Sequence, residues 1–145
     1  GDPRGPRLEV KVVLDTNVLV SGIFFESSPL ARILDLWLKR GFDAYATPQI
    51  LGEYDRVIRR FSLIREPALE HDWLTLLPKL CYVLPDEASP RRISRDPTDD
   101  KFLSCATRAR AQYLVTGDPD LNTLPEEFPF KIVTPARFLG ILKEG

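Results

Sequence analysis

The 145 residues suit a single domain, and a composition of 43% hydrophobic and 28% charged residues is that of an ordinary globular chain able to fill one core. Twenty Lys plus Arg against 21 Asp plus Glu leave a net charge of -1, which argues against a uniformly basic, nonspecific binder of nucleic acid; what matters is where the charges sit. Cys81 and Cys105 lack CxxC spacing and lie in apolar surroundings, which argues against a zinc site or a disulfide, and no apolar run approaches the roughly 20 residues of a membrane span.

With no signal peptide in view, a cytoplasmic protein is expected. Residues 1–8, polar and rich in Gly and Pro, read as a loose tail, and 9–145 as the folded domain. Residues 10–14 form a short apolar, β-branched run, a buried strand, which ends in Asp15-Thr16-Asn17 and a further apolar stretch over 18–20. Ser28-Pro29 is a helix start. Leu30, Ile33, Leu34, Trp37 and Leu38 follow at helical spacing, and Gly41 stops the run. A second strand is expected over 43–47 and a helix from Pro48, with Ile50, Leu51, Tyr54, Val57, Ile58 and Phe61 on its apolar side. Residues 62–79 read as helical, interrupted at Pro67 and closed near Pro78, and 80–84 as a third strand. The polar stretch 85–98 is a loop, 99–110 a helix through Phe102, Leu103, Ala106 and Ala109, and 113–115 and 130–133 are strands. Pro135 opens a closing helix with Phe138, Leu139, Ile141 and Leu142 as its apolar positions. Strands alternating with helices predict an α/β fold in three layers, α/β/α, around a mostly parallel sheet of about five strands.

In such sheets ligands gather beyond the carboxyl ends of the strands. Asp15 follows the first strand and Asp118 a later one, and right-handed crossovers bring both exits to the same edge. Each alone also reads as a turn residue; two such exits carrying Asp shift the reading toward chemistry. Glu53 falls three residues after Ile50 and four before Val57, on the buried face of its helix, where a carboxylate needs a cation or donors. A slightly rotated helix would instead leave it in solvent or paired with Arg56. In Asp96-Pro97-Thr98-Asp99-Asp100, Asp96 reads as the helix cap. Asp99 shares a face with Phe102, Leu103 and Ala106, and Asp100 points about a quarter-turn away. Clustered carboxylates repel unless a hard cation intervenes, and no His or Cys cluster competes for it.

Val13-Leu14-Asp15-Thr16-Asn17-Val18, Leu51-Gly52-Glu53, the run from Asp96 to Leu103 and the run from Leu114 to Leu121 together resemble the four motifs of the PIN-domain family, in its bacterial and archaeal, VapC-like branch of toxin–antitoxin toxins. The resemblance spans 10–142. It implies a ribonuclease that hydrolyses RNA phosphodiester bonds with one or two Mg²⁺ or Mn²⁺ ions held by Asp15, Glu53, Asp99 and Asp118, the adjacent Asp99 and Asp100 leaving the third position open by one residue. It further implies that Asn17, Thr116, Asp100 and Asp120 support the ligands from behind or at the rim, and that a homodimer and a small antitoxin partner exist. Arg56, with Arg59 and Arg60, and Arg92 and Arg95, with Arg91, would meet phosphates flanking the site, although a solvated helix face and loop explain them equally well. Phe24 and Phe25 read as core or dimer-interface residues before base-stacking ones. Two other readings compete: a catalytically inactive module binding RNA or protein, and a phosphatase with Asp15 as nucleophile. The phosphatase reading is weakened by Asn17, where a second Asp is usual.

Overall fold

Val12, Val13 and Leu14 have essentially no exposed surface, as a continuous apolar run specifies when a strand is covered on both faces, and they form β1 over Lys11–Leu14. The computed structural model describes residues 10–25, 28–67, 71–88, 99–124 and 127–144. The expected tail and most of the loop before Asp99, including Arg91, Arg92, Arg95 and Asp96, lie outside them. After β1 come α1 (Thr16–Phe24), α2 (Pro29–Leu38), β2 (Asp43–Ala46), α3 (Pro48–Ser62), α4 (Trp73–Leu80) and β3 (Tyr82–Val83). The rest of the chain supplies α5 (Asp100–Arg108), β4 (Tyr113–Val115), α6 (Pro119–Asn122), β5 (Lys131–Val133) and α7 (Pro135–Glu144).

The five strands lie in the order β3-β2-β1-β4-β5, and every neighbouring pair is parallel. Helices α1, α2 and α7 pack in sequence, α3 packs on α4 and α5, and α5 crosses β1, β2 and β4, giving the three-layer α/β/α arrangement. The chain runs outward from β1 through β2 to β3, then returns to place β4 on the other side of β1. The strand order therefore reverses between β1 and β4, which opens a crevice at their carboxyl ends.

Local chemistry explains the starts. Ser28 and Thr47 accept hydrogen bonds from the N–H groups of Ala31 and Ile50, each followed by Pro at the first helical position. Four details differ from the sequence expectation. The apolar stretch after Asp15 is a full helix, α1. At the end of α2 it is Arg40, with φ of 60°, that takes the left-handed conformation, while the Gly41 N–H closes onto the Leu36 carbonyl. Helix α4 runs through Pro78 to Leu80, losing one backbone bond, so the strand expected over 80–84 shrinks to Tyr82 and Val83. Both are exposed, because β3 is an edge strand.

Gly22 shows how tightly α1 meets α2: a Cβ there would stand 2.7 Å from Leu34 Cδ1 and 2.8 Å from the Leu30 carbonyl oxygen. The backbone oxygen has little freedom to retreat. Gly22→Ala is expected to destabilise by about 1–3 kcal/mol, read as a lower denaturant midpoint with an unchanged slope.

Candidate active site at the carboxyl ends of the strands

Asp15 leaves β1 at the crevice, its N–H bonded to the Val115 carbonyl of β4 at 3.0 Å. On the neighbouring strand Thr116 leaves β4, fully buried, its N–H bonded to the Val133 carbonyl of β5. The Thr116 hydroxyl joins the two strand exits. It donates to Asp15 Oδ2 at 2.7 Å and accepts from the Asp118 N–H at 3.0 Å. The Asp118 carboxylate in turn accepts from the Asp120 N–H at 2.9 Å, which starts α6. Tyr54, buried on α3, donates to the Leu14 carbonyl at 2.5 Å and fixes the backbone just before Asp15.

Asp15 and Asp118 both line a cleft of about 330 Å³, with Asn17, Ser21, Gly117 and Pro135 among its walls. A hollow of similar size, about 360 Å³, lies among Trp37, Arg40, Lys79 and Tyr82, at the amino ends of β2 and β3 and away from these carboxylates. Burial is the main force pushing the Asp15 carboxyl above its ordinary 3.8. The Thr116 hydroxyl and the Asn17 and Thr16 N–H groups, which approach without a capping bond, oppose this, and the charge of Glu53 adds to the rise. Burial thus disfavours the charged form of Asp15 more than its hydrogen bonds restore it.

Glu53 stands half-buried on α3. One carboxylate oxygen accepts from the Thr16 hydroxyl, and the other meets Lys101 Nζ at 2.7 Å. The partner is therefore a lysine of α5, not the Arg56 of the solvent-facing reading, and Arg56 itself is exposed over Gly52. Arg59 pairs with Asp55, and Arg60 is exposed.

At the start of α5 the burial differs from expectation. Asp100 is 7% exposed, whereas Asp99 occupies the N-cap position and is only half-buried. Asn17 and Asp120 are exposed at the rim. The structure thus brings Asp15 and Asp118 into one cleft and links Glu53 to them through Thr16, with Lys101 joining Glu53 to α5. Among the described residues no three acidic, His or Cys side chains stand close enough to hold a metal ion together. Lys101 is the site residue that sequence reasoning missed; its only signal was its place in the third motif.

The chain is similar to known proteins in sequence and in fold. The profile of the PIN domain matches residues 11–120. The uncharacterized protein MJ1680 of Methanocaldococcus jannaschii is 28% identical over 143 residues, covering 92% of each chain. Among solved structures, PAE2754 from Pyrobaculum aerophilum superposes with a TM-score of 0.60 at 18% identity, over 94% of this chain and 91% of that one. VapBC2 from Rickettsia felis, bound to a DNA fragment from its promoter, superposes with a TM-score of 0.56 at 14% identity, over 86% of this chain and 98% of that one. Both share the fold.

Proposed function

This chain belongs to the PIN domain family, and we propose that it is a divalent-metal-dependent ribonuclease hydrolysing RNA phosphodiester bonds, the toxin of a toxin–antitoxin pair. The observation that carries the proposal is the pairing of Asp15 and Asp118 at the carboxyl ends of adjacent parallel strands, held in register by one buried hydroxyl. The donors are all oxygens, and Asp15 is a carboxyl whose charged form is disfavoured by burial. Such a set fits Mg²⁺ or Mn²⁺, since Mg²⁺ is commonly held by one or two carboxylates together with water and substrate phosphate. Asp15 and Asp118 would hold the ion together with water and substrate phosphate, and Glu53 forms the neighbouring wall. When bound, the ion supplies a water of lowered pKa and offsets charge on the scissile phosphate.

The chain's own residues do the rest. Thr116 keeps both aspartates aimed into the cleft, and the exposed Asn17 amide stands at its wall to donate to a phosphate oxygen. Arg56 and Arg60, exposed on α3, offer positive charge to flanking phosphates; Arg92 and Arg95, outside the described residues, would add to it. With this activity we propose a cytoplasmic site of action, a homodimer and a small antitoxin partner, on the resemblance of the motifs to the toxin branch. Among the described residues no helix is long and apolar enough to cross a membrane.

The test is cleavage of single-stranded RNA by the purified chain with Mn²⁺, abolished by EDTA. Binding of RNA without metal-dependent cutting would overturn the nuclease and leave a binding module. The burial of Asp100 makes a further prediction. Asp100→Asn is expected to reduce cleavage by about 10–100-fold, the cost of disturbing a metal site's supports, and Asp99→Asn by less. The reverse order would favour Asp99 at the third position.

A further inference from the structure

Seven of the nine residues of α1 are buried, and the two that are not, Asn17 and Ser21, both line the acid cleft. They lie one turn apart on one face of the helix, and the next position on that stripe is Phe25. The Phe25 N–H closes α1 on the Ser21 carbonyl at 2.9 Å. The two phenylalanines at this end of α1 therefore differ. Phe24 has no exposed surface and packs on Phe61 at 5.2 Å, whereas Phe25 keeps 37% of its surface exposed. At about 1.5 Å per residue, Phe25 lies roughly 12 Å along α1 from Asn17. That is the length of a few stacked nucleotides, at roughly 3.4 Å each.

The Arg65 guanidinium lies 4.5 Å from the centre of the Phe25 ring, and its Nε donates to the Phe24 carbonyl at 3.1 Å. Phe61 of α3 meets the same ring at 80°. Ring and guanidinium thus form an exposed stack already held in place, and unpaired bases stack on both kinds of plane. Among the described residues no carboxylate pairs with Arg65. A protein seated here would have to desolvate that charge, whereas a nucleic acid brings its own phosphate to meet it.

We infer that Phe25 and Arg65 form a stacking subsite for one unpaired base of an RNA strand that runs from the acid cleft along the exposed stripe of α1. This rests on the RNA-cleaving reading above and deepens it. The substrate is single-stranded at that point, because a base inside a duplex has both faces already stacked. Between the two ends, the Asn17 amide and the Ser21 hydroxyl offer donors to the sugar–phosphate backbone.

The experiment compares, by fluorescence anisotropy, two labelled strands of about ten nucleotides, within the usual site size. One is a mixed-sequence RNA that does not pair with itself; the other has the same phosphates and no bases. Ca²⁺ replaces Mn²⁺ to hold back cleavage. Wild type is expected to bind the strand with bases more tightly. Phe25→Ala binds it about 5–150-fold less tightly, the worth of one stacked base. The same variant binds the abasic strand within about twofold of wild type. Phe25→Leu, which keeps an apolar side chain without the plane, shows the same selective loss, and Phe25→Trp restores the preference. Arg65→Gln weakens both strands, since it also takes a charge from the phosphates. Equal losses on the two strands, or no loss on either, would overturn the inference. So would a dimer that falls apart in Phe25→Ala while RNA binding is unchanged, which would give the ring, with the exposed Leu63 and Ile64, to a protein contact. RNA bound with the base preference but never cut in Mn²⁺ would overturn the nuclease reading and leave the subsite standing. Should Phe25→Ala fail to fold, Phe25→Leu and Phe25→Trp still decide the matter.

Discussion

Replacing Asp15 by Asn is expected to lower Mn²⁺-dependent RNA cleavage by more than about 100-fold while leaving the fold intact, since disturbing even a group behind a metal ligand costs about 10–100-fold. The amide keeps the shape of the side chain and an oxygen to accept from Thr116, so the lost property is charge. The same substitution carries a stability signature. Burial, helped by the charge of Glu53, raises the Asp15 carboxyl above 3.8 in the folded chain. The folded form therefore holds this proton more tightly than the unfolded chain does. That contribution is full below 3.8 and lost as pH rises through the folded value, so at neutral pH the anion is a standing cost. Metal-free Asp15→Asn is expected to melt higher than metal-free wild type at pH 7, with the gap closing as the pH falls toward 4 or below. Millimolar Mn²⁺ then raises the melting temperature of wild type and not of the variant, because a ligand bound only by the native state stabilises it. Cleavage retained by the variant, or a wild type indifferent to Mn²⁺ in the melt, would remove Asp15 from the proposed chemistry.

The largest stability loss is expected at Trp37. Its ring is 3% exposed, stacks on Phe42 at 6.1 Å and 21°, and leans on Trp73 at the same separation. It joins α2, α4 and the start of β2 into one packed layer. Trp37→Ala is expected to cost about 3–5 kcal/mol, a large part of the roughly 5–15 kcal/mol that holds a domain of this kind together. Urea unfolding measures it, and a loss under about 1 kcal/mol would mean that the layer closes over the cavity. Trp37 lines the hollow at the amino ends of the strands, so the folded fraction should keep the wild-type response to Mn²⁺.

How far the chain could be read in advance follows the range of the forces involved. The apolar runs that become β1 and β4 and the Ser/Thr-Pro starts of α2 and α3 are local signals, and the parallel sheet follows from their alternation. Helix α1 escaped because seven of its nine residues are buried, leaving no polar face to set a helical period. The buried face through Phe102, Leu103 and Ala106 is legible, but carrying it back to Asp99 overreaches, because Asp99 is the N-cap and Asp100, three residues before Leu103, is the buried acid. The Lys101–Glu53 pair joins two amphipathic helices remote in sequence, and no spacing rule records a contact of that kind. Asp15 and Asp118 were legible because a carboxylate ending a buried parallel strand stands where the fold already gathers ligands.

The hydroxyl that ties Thr116 to Asp15 bridges 101 positions of the chain. Until β4 has been synthesised and has left the ribosome, the first aspartate has neither its neighbouring strand nor its hydroxyl. On the proposed nuclease reading, a nascent chain therefore carries half a blade until Thr116 has emerged.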